Sequence, residues 1–469
     1  MKKSRLINIF KTLTKKEIRD LRKWLHSPAH NQREDTVLLF EYLVAEDNLY
    51  EENLLDKSTV FQHLMPDEKK FDDAKIRQVM YFLLKSTEEF LTYQEFLKDK
   101  TGQEILLARV FSEKKLEKYF QKNIQDSLQR QRSGNLRDKE FYKSSYELLY
   151  ENYQYLSKIS RTVDFNLQEI SDSLDTYFLS LKLRQCCIMA SHRRVYKKEY
   201  EIGLLDEILQ YVEKNDLIST PTIGIYYYGY KLIAEGDDEY FPAFKRILFE
   251  NESLFPKDEL GEIYLIAINY RIQKINTGDY SGLVEAFELY KRGFETGVLI
   301  VENQITDYTF NNVTLLALRI EEYAWAENFI ENHHKYLKAK NRESTVSYCK
   351  ARLEYARGNY DTAMDWFIKV EHTDILLTLN AKTFLLKMYY GQNEIKVLDS
   401  LLDSMRTYLS RKKVVGYHKE NYQNIIKYTK KLVRINPFSK KDKEKLKTDI
   451  EKVSPLTERT WLLEQLTKV

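Results

Sequence analysis

Three cysteines and eight histidines are the residues best suited to chemistry, and their spacing favours structural roles. Cys186 and Cys187 are adjacent in the apolar stretch "LKLRQCCIMASH", and His192 follows five residues later. A cysteine nucleophile would need this imidazole to activate its thiol. Cysteine in an apolar helix, however, is usually a small buried hydrophobe. We therefore expect both thiols to belong to the core.

The histidine pairs do not have metal-binding spacing. His333 and His334 are neighbours, so on a helix they point about 100° apart. His26 and His30 have i, i+4 spacing, but Pro28 interrupts the helix that would align them. The sequence also contains no H-E-x-x-H motif, calcium loop or glycine-rich phosphate loop. We expect no metal site, no cofactor and no enzymatic activity.

Tyrosine is unusually frequent, with 35 residues, and it allows two interpretations. In "IYYYGYKL", Tyr226 and Tyr230 share one helical face while Tyr227 and Tyr228 point elsewhere. A tyrosine ring can pack between helices while its hydroxyl stays in water. The alternative is a groove that is lined with tyrosines and holds an extended peptide.

Basic residues concentrate at the two ends of the chain, although the net charge is only +3. Residues 1–26 hold nine Lys or Arg against two acidic residues, and residues 406–448 hold fourteen against three. Such segments can attract RNA or another polyanion, but a lysine run is often only a solvated helix face. The candidate polyanion-binding residues are Lys412, Lys413, Lys430, Lys431 and Arg434.

The elements that carry these residues are predicted to be helices. Glycine contributes only 14 residues and proline 7, which is too few turn residues for a sheet protein. The three cysteines show no spacing typical of a disulfide, which suits a reducing compartment. The most apolar window, "IGIYYYGYKLIA", is too short to cross a bilayer. We expect an all-α protein that is cytoplasmic and does not enter a membrane.

Residues 1–100 are predicted to form an N-terminal helical cap domain. Thr14 and Glu17 have capping-box spacing at the start of an amphipathic helix. The segment from Leu13 to Pro28 fits L-x-K-K-E-x-x-x-x-x-K-x-L-x-S-P. In this it resembles the N-terminal part of a family of bacterial helical-repeat proteins, and the resemblance implies no particular activity.

Residues 101–436 contain a repeated pattern. Similar stretches begin at Gly236, Gly278, Glu321, Gly358 and Gly391, at intervals of 33–43 residues. Repeats of this length, each with two helices and a tight turn, are typical of an α-solenoid. We therefore predict an array of helical pairs, followed by a basic helical element at residues 437–469.

The copy around "RGNYDTAMDWF" resembles a tetratricopeptide repeat. Ala351 and Ala363 occupy the small positions of that motif, Gly358 the turn, and Tyr360 and Phe367 the aromatic positions. Small residues let two helices approach closely, and we expect the aromatic residues to fill the space between neighbouring pairs. The resemblance implies a tetratricopeptide-like superhelix.

The resemblance also implies a binding face on the first helix of each pair. The positions that would face a partner are Tyr308, Asn311, Tyr348, Arg352 and Tyr355. From the sequence we therefore predict a non-enzymatic scaffold, adaptor or regulator that binds a protein or peptide. The alternative is RNA or another polyanion held by the basic ends.

Overall fold

The structure is a computed structural model, and it describes residues 1–45, 48–68, 70–159, 165, 167–196, 198–370, 374–411 and 417–469. Across these residues the regular elements are helical, with no strand and one isolated bridge between Val301 and Gln304. The prediction of an all-α protein is therefore confirmed. No described helix combines the length and hydropathy that a bilayer-spanning segment requires.

The helices run as follows in chain order. The first nine are α1 Arg5–Phe10, α2 Lys15–His26, α3 Glu34–Val44, α4 Lys57–Leu64, α5 Asp73–Phe96, α6 Lys100–Glu113, α7 Glu117–Ser133, α8 Lys139–Ile159 and α9 Leu167–Tyr196. The next seven are α10 Leu205–Lys214, α11 Pro221–Ala234, α12 Phe241–Glu250, α13 Lys257–Asn276, α14 Leu283–Glu295, α15 Asp307–Arg319 and α16 Tyr323–His333. The last seven are α17 Ala339–Ala356, α18 Tyr360–Ile368, α19 Ile375–Gly391, α20 Ile395–Arg411, α21 Tyr417–Val433, α22 Lys440–Lys452 and α23 Arg459–Lys468.

The chain divides into two compact units. The first contains Met1–Asn135 and Lys139–Phe178, and the second contains Leu136–Asp138 and Leu179–Val469. The predicted boundaries near residues 100 and 436 are not tested by this division and stay predictions. Everything that bears on function below belongs to the second unit.

In the first unit, local sequence signals and burial agree. The capping box at Thr14 and Glu17 is present at the start of α2, with both of its hydrogen bonds formed. The apolar face of α5 packs into a core, where Ile76, Val79 and Leu83 are almost completely buried. The amphipathic pattern therefore located both the helix and its buried side.

The second unit consists largely of helices that pack as neighbouring pairs, and their turns share one backbone geometry. A residue in the left-handed region follows the first helix of five pairs, at Gly236, Gly278, Glu321, Gly358 and Asn393. In four of these turns, the next N–H donates to the carbonyl five residues earlier at 2.8–3.0 Å, as in the Schellman motif. The recurring stretches are therefore recurring helix–turn–helix units.

The structure corrects two details of that pattern. Gly391 is the last residue of α19, and the left-handed residue of the turn is Asn393, because asparagine also tolerates this conformation. Tyr360 does not fill the space between pairs, since its side chain is about half exposed. Ala351, Ala363 and Phe367 are buried, as their positions in the repeat predict.

Many tyrosines of the second unit join helices through their hydroxyls. The Tyr226 hydroxyl donates to Glu259 at 2.6 Å and the Tyr270 hydroxyl to Asp238 at 2.7 Å. Tyr264 donates in the same way to Glu252. The rings are buried and each hydroxyl is satisfied by a carboxylate, which supports the packing interpretation for these residues.

Candidate functional site

A cavity of about 860 Å³ lies between α9, α11 and α13 in the second unit. Helix α11 forms its floor, since α9 and α13 both pack against α11. The Cys187 thiol donates to the carbonyl of Tyr226 at 3.3 Å, which places α9 against the α11 backbone. A Cβ atom at Gly229 would lie 3.2 Å from Phe244 and 3.5 Å from the Cys187 sulfur. The absence of a side chain at Gly229 therefore lets the Cys187 side chain of α9 pack closely on α11.

The middle of the cavity is apolar and open to solvent. Ile188 on α9 is 50% exposed and Leu265 on α13 is 38% exposed, although both are large aliphatic residues. Ile233 and Ile266 lie behind them and are partly buried. Aliphatic side chains on both walls of an open groove gain free energy when a ligand covers them.

The two ends of the groove differ in charge. At one end Arg184 forms an ion pair with Glu262, which joins α9 to α13. At the other end Arg194 donates to the carbonyl of Ile233 at 3.3 Å, and no described carboxylate lies within 4 Å of it. The cation at this end is therefore not neutralised by the parts of the chain that the structure describes.

Two amide side chains from α13, those of Asn269 and Gln273, line the same cavity as Arg194. Neither amide has a hydrogen bond to another described residue. An amide offers both donors and an acceptor. The Arg194 end can therefore hydrogen-bond a polar or anionic group, whereas the middle favours apolar ones.

The thiols lie in the core rather than in a reactive position. Cys186, Cys187 and Cys349 are buried and unbridged. Burial raises the pKa of the Cys187 thiol, and it raises that of Cys349 to about 12. The His192 ring nitrogen Nδ1 is hydrogen-bonded to the Tyr200 hydroxyl at 2.6 Å and not to a thiol. No arrangement of three or more His, Cys, Asp or Glu able to hold a metal ion occurs among the described residues.

Two of the predicted partner-binding residues are buried. Asn311 on α15 is 6% exposed and accepts a hydrogen bond from the Cys349 thiol at 3.1 Å. Tyr348 on α17 is 3% exposed, and its hydroxyl accepts from Arg352 at 3.0 Å. In this structure neither Asn311 nor Tyr348 offers its side chain to a partner.

The other three residues reach the surface, but in two places. Arg352 and Tyr355 lie together on α17, where both pack on the ring of Phe384 from α19. Tyr308 is the second residue of α15 and is 70% exposed, and its hydroxyl donates to Asp374 at 2.6 Å. These five residues therefore do not form one continuous binding surface.

The basic end is only partly described. Lys412 and Lys413 lie outside the described residues. Lys430 pairs with Asp403 at 2.6 Å and Lys431 pairs with Asp449 at 2.8 Å, whereas Arg434 is exposed. The lysine hydrogen bonds lower the pKa of both aspartates. Two of the candidate cations are thus already neutralised.

The groove itself was missed by the sequence reasoning. Two features of the groove are visible in the sequence: Gly229 interrupts a tyrosine run, and Ile188 follows two cysteines in an apolar stretch. Both features are equally typical of a buried helix core, so they do not indicate a groove. Comparisons with models of protein families, with curated proteins and with solved structures find no match for this chain. The proposals below therefore depend on the geometry of this molecule.

Proposed function

We propose that the chain is a non-enzymatic adaptor or regulator that binds a protein or peptide in the groove between α9, α11 and α13. Its helical pairs would stack as a tetratricopeptide-like solenoid. The recurrence of one turn geometry at Gly278, Glu321, Gly358 and Asn393 supports this stacking. Solenoids present long continuous surfaces, and such surfaces are suited to binding extended partners.

The exposed aliphatic pair is the observation that carries the proposal. Ile188 and Leu265 face solvent from opposite walls of the groove, and unpaired polar groups lie beside them. Ligand sites typically combine an apolar lining with a few placed polar groups, and their volumes are about 300–1,000 Å³. The groove has both properties.

Selection of peptides from a random dodecapeptide library displayed on phage, using the full chain as bait, tests the proposal. We expect enriched peptides to bind the unmodified protein and to lose binding to Ile188→Asp, because a carboxylate in the groove makes apolar burial costly. Leu181→Asp is the matched control, since Leu181 is an exposed aliphatic residue on the same helix outside the groove.

Circular dichroism should show that both variants remain folded. Equal binding to the Ile188 and Leu181 variants would contradict the proposal, because it would place binding elsewhere. Failure to enrich any peptide would also contradict it.

Polyanion binding by the basic end is a second candidate, and α22 favours it. Five lysines of this helix have no described carboxylate within 4 Å: Lys440, Lys441, Lys443, Lys445 and Lys447. Binding to a single-stranded oligonucleotide should be measured at low and moderate salt, for the unmodified protein and for a variant with Lys441, Lys445 and Lys447 changed together to Glu. We expect the unmodified protein to bind weakly. Tight, salt-sensitive binding that the variant loses would make this candidate the function.

A further inference from the structure

We infer that the groove takes an extended apolar peptide segment that carries an Asp or Glu side chain at the Arg194 end. This inference rests on the proposed function, and it specifies the chemistry of the partner. It follows from the length of the groove, from the amide groups that line it, from its charge and from the surroundings of Arg194.

The length of the groove sets the length of an extended segment that can bind in it. Arg184 and Arg194 mark the two ends, and they are ten residues apart on α9, or about 15 Å along the helix axis. An extended chain covers the same distance with four or five residues.

An extended chain also needs partners for its backbone, and the groove supplies them. The peptide N–H and C=O groups of such a segment would lose water on binding, which costs free energy unless they are hydrogen-bonded. The Asn269 and Gln273 amides line the wall and make no hydrogen bond to another described residue. A helical ligand satisfies its own backbone and would leave these amides without a role.

The charge of the groove selects an acidic ligand. Arg184 is compensated by Glu262, whereas Arg194 donates a hydrogen bond to a backbone carbonyl and has no ion pair with a described carboxylate. A guanidinium binds a carboxylate through two parallel hydrogen bonds, which fixes its orientation as well as adding affinity. An acidic side chain that follows the apolar residues would meet Arg194.

The surroundings of Arg194 favour binding of an Asp or Glu side chain of the partner over binding of the partner's free C-terminal carboxylate. Arg194, Tyr196 and Asn269 are all exposed at this end. Nothing described there closes the groove, so a bound segment can continue into solvent beyond Arg194. A carboxylate on an internal residue therefore reaches the guanidinium without requiring the partner to end there.

The experiment uses the peptides enriched from the displayed library, which have no free carboxyl terminus on the phage. We expect them to share four or five apolar residues next to Asp or Glu. The best peptide is then synthesised in amidated form, with Glu and with Gln at the acidic position, and titrated against the unmodified protein and Arg194→Gln. Arg193→Gln is the matched control, because Arg193 pairs with Glu199 and does not line the groove.

We expect the change from Glu to Gln in the peptide to weaken binding about five- to ten-fold on the unmodified protein and on the Arg193 variant. On Arg194→Gln the two peptides should bind equally. Three outcomes would each overturn the inference while the proposed function stands. The enriched peptides could lack an acidic residue, the two arginine variants could lose the same amount of binding affinity, or binding could require a free terminal carboxylate. If no enriched peptide depends on Ile188, the proposed function fails and the inference fails with it.

Discussion

Two reciprocal substitutions in equivalent turns provide a sharp test of the repeated backbone geometry. Gly358 has φ +84° after α17, and Glu321 has φ +64° at the same place after α15. A residue with a Cβ pays roughly 1–2 kcal/mol in this left-handed region. We expect Gly358→Ala to destabilise the second unit and Glu321→Gly to stabilise it.

The magnitude follows from the space around these residues. A Cβ atom at Gly358 would meet nothing within 4 Å, so only the backbone cost applies. Alanine also restricts the unfolded chain, which offsets about 0.4–1 kcal/mol. The net change in the free energy of unfolding should be about 1 kcal/mol. Glu321 is exposed, so its replacement by glycine should give a change of similar size and opposite sign.

Gly391→Ala is the control, because Gly391 lies at the helical end of α19 and has no positive φ. Alanine there should be neutral or stabilising, since glycine is the weaker helix former by about 1 kcal/mol. Urea unfolding followed by circular dichroism measures the changes. Hydrogen exchange in peptides from α17 and α18 reports locally, because a chain with two units need not unfold in one step.

The reasoning would be refuted if Gly358→Ala and Gly391→Ala had the same effect. It would also be refuted if Glu321→Gly destabilised the protein, since the glutamate would then contribute more than its backbone strain costs. The first result would mean that the left-handed conformation at Gly358 costs alanine nothing, and the second that the turns after α15 and α17 are not energetically equivalent.

Three further substitutions, with Tyr308→Phe as a control for one of them, test packing and titration in the second unit. Ala363→Leu should lower the free energy of unfolding by about 1–3 kcal/mol, because Ala363 is fully buried and a larger side chain overpacks the helix pair; unchanged thermal stability would mean that the helices do not cross there. Tyr226→Phe should cost about 1–3 kcal/mol in urea unfolding, because it removes a donor from the buried Glu259 carboxylate, whereas the exposed Tyr308→Phe should cost much less. Burial lowers the pKa of the His333 imidazole, so the unfolded chain binds a proton more readily and stability should fall as the pH drops below about 6.5. His333→Phe should flatten that dependence in unfolding curves between pH 5 and pH 8, and an unchanged profile would assign it to other groups.

Much of the fold could be predicted from the sequence because its signals are local. The capping box at Thr14 and Glu17 and the apolar face of α5 specify helices through contacts within a few residues. Gly358 marks a turn because few residues other than glycine adopt its conformation readily. Asn393 fills the same role without being glycine, and for that reason the sequence pattern placed the last turn two residues too early.

The binding surface depends on which faces of the helices are covered, and the repeat pattern alone does not determine that. By resemblance, Asn311 and Tyr348 were expected to face a partner, yet contacts between α15 and α17 bury both. Ile188 has the character of a core residue, but it stays exposed because α9 and α13 both pack on α11 and leave a gap above it. Amphipathic spacing assigns a side chain to one side of its own helix, and only the packing of neighbouring helices decides whether that side is core or groove.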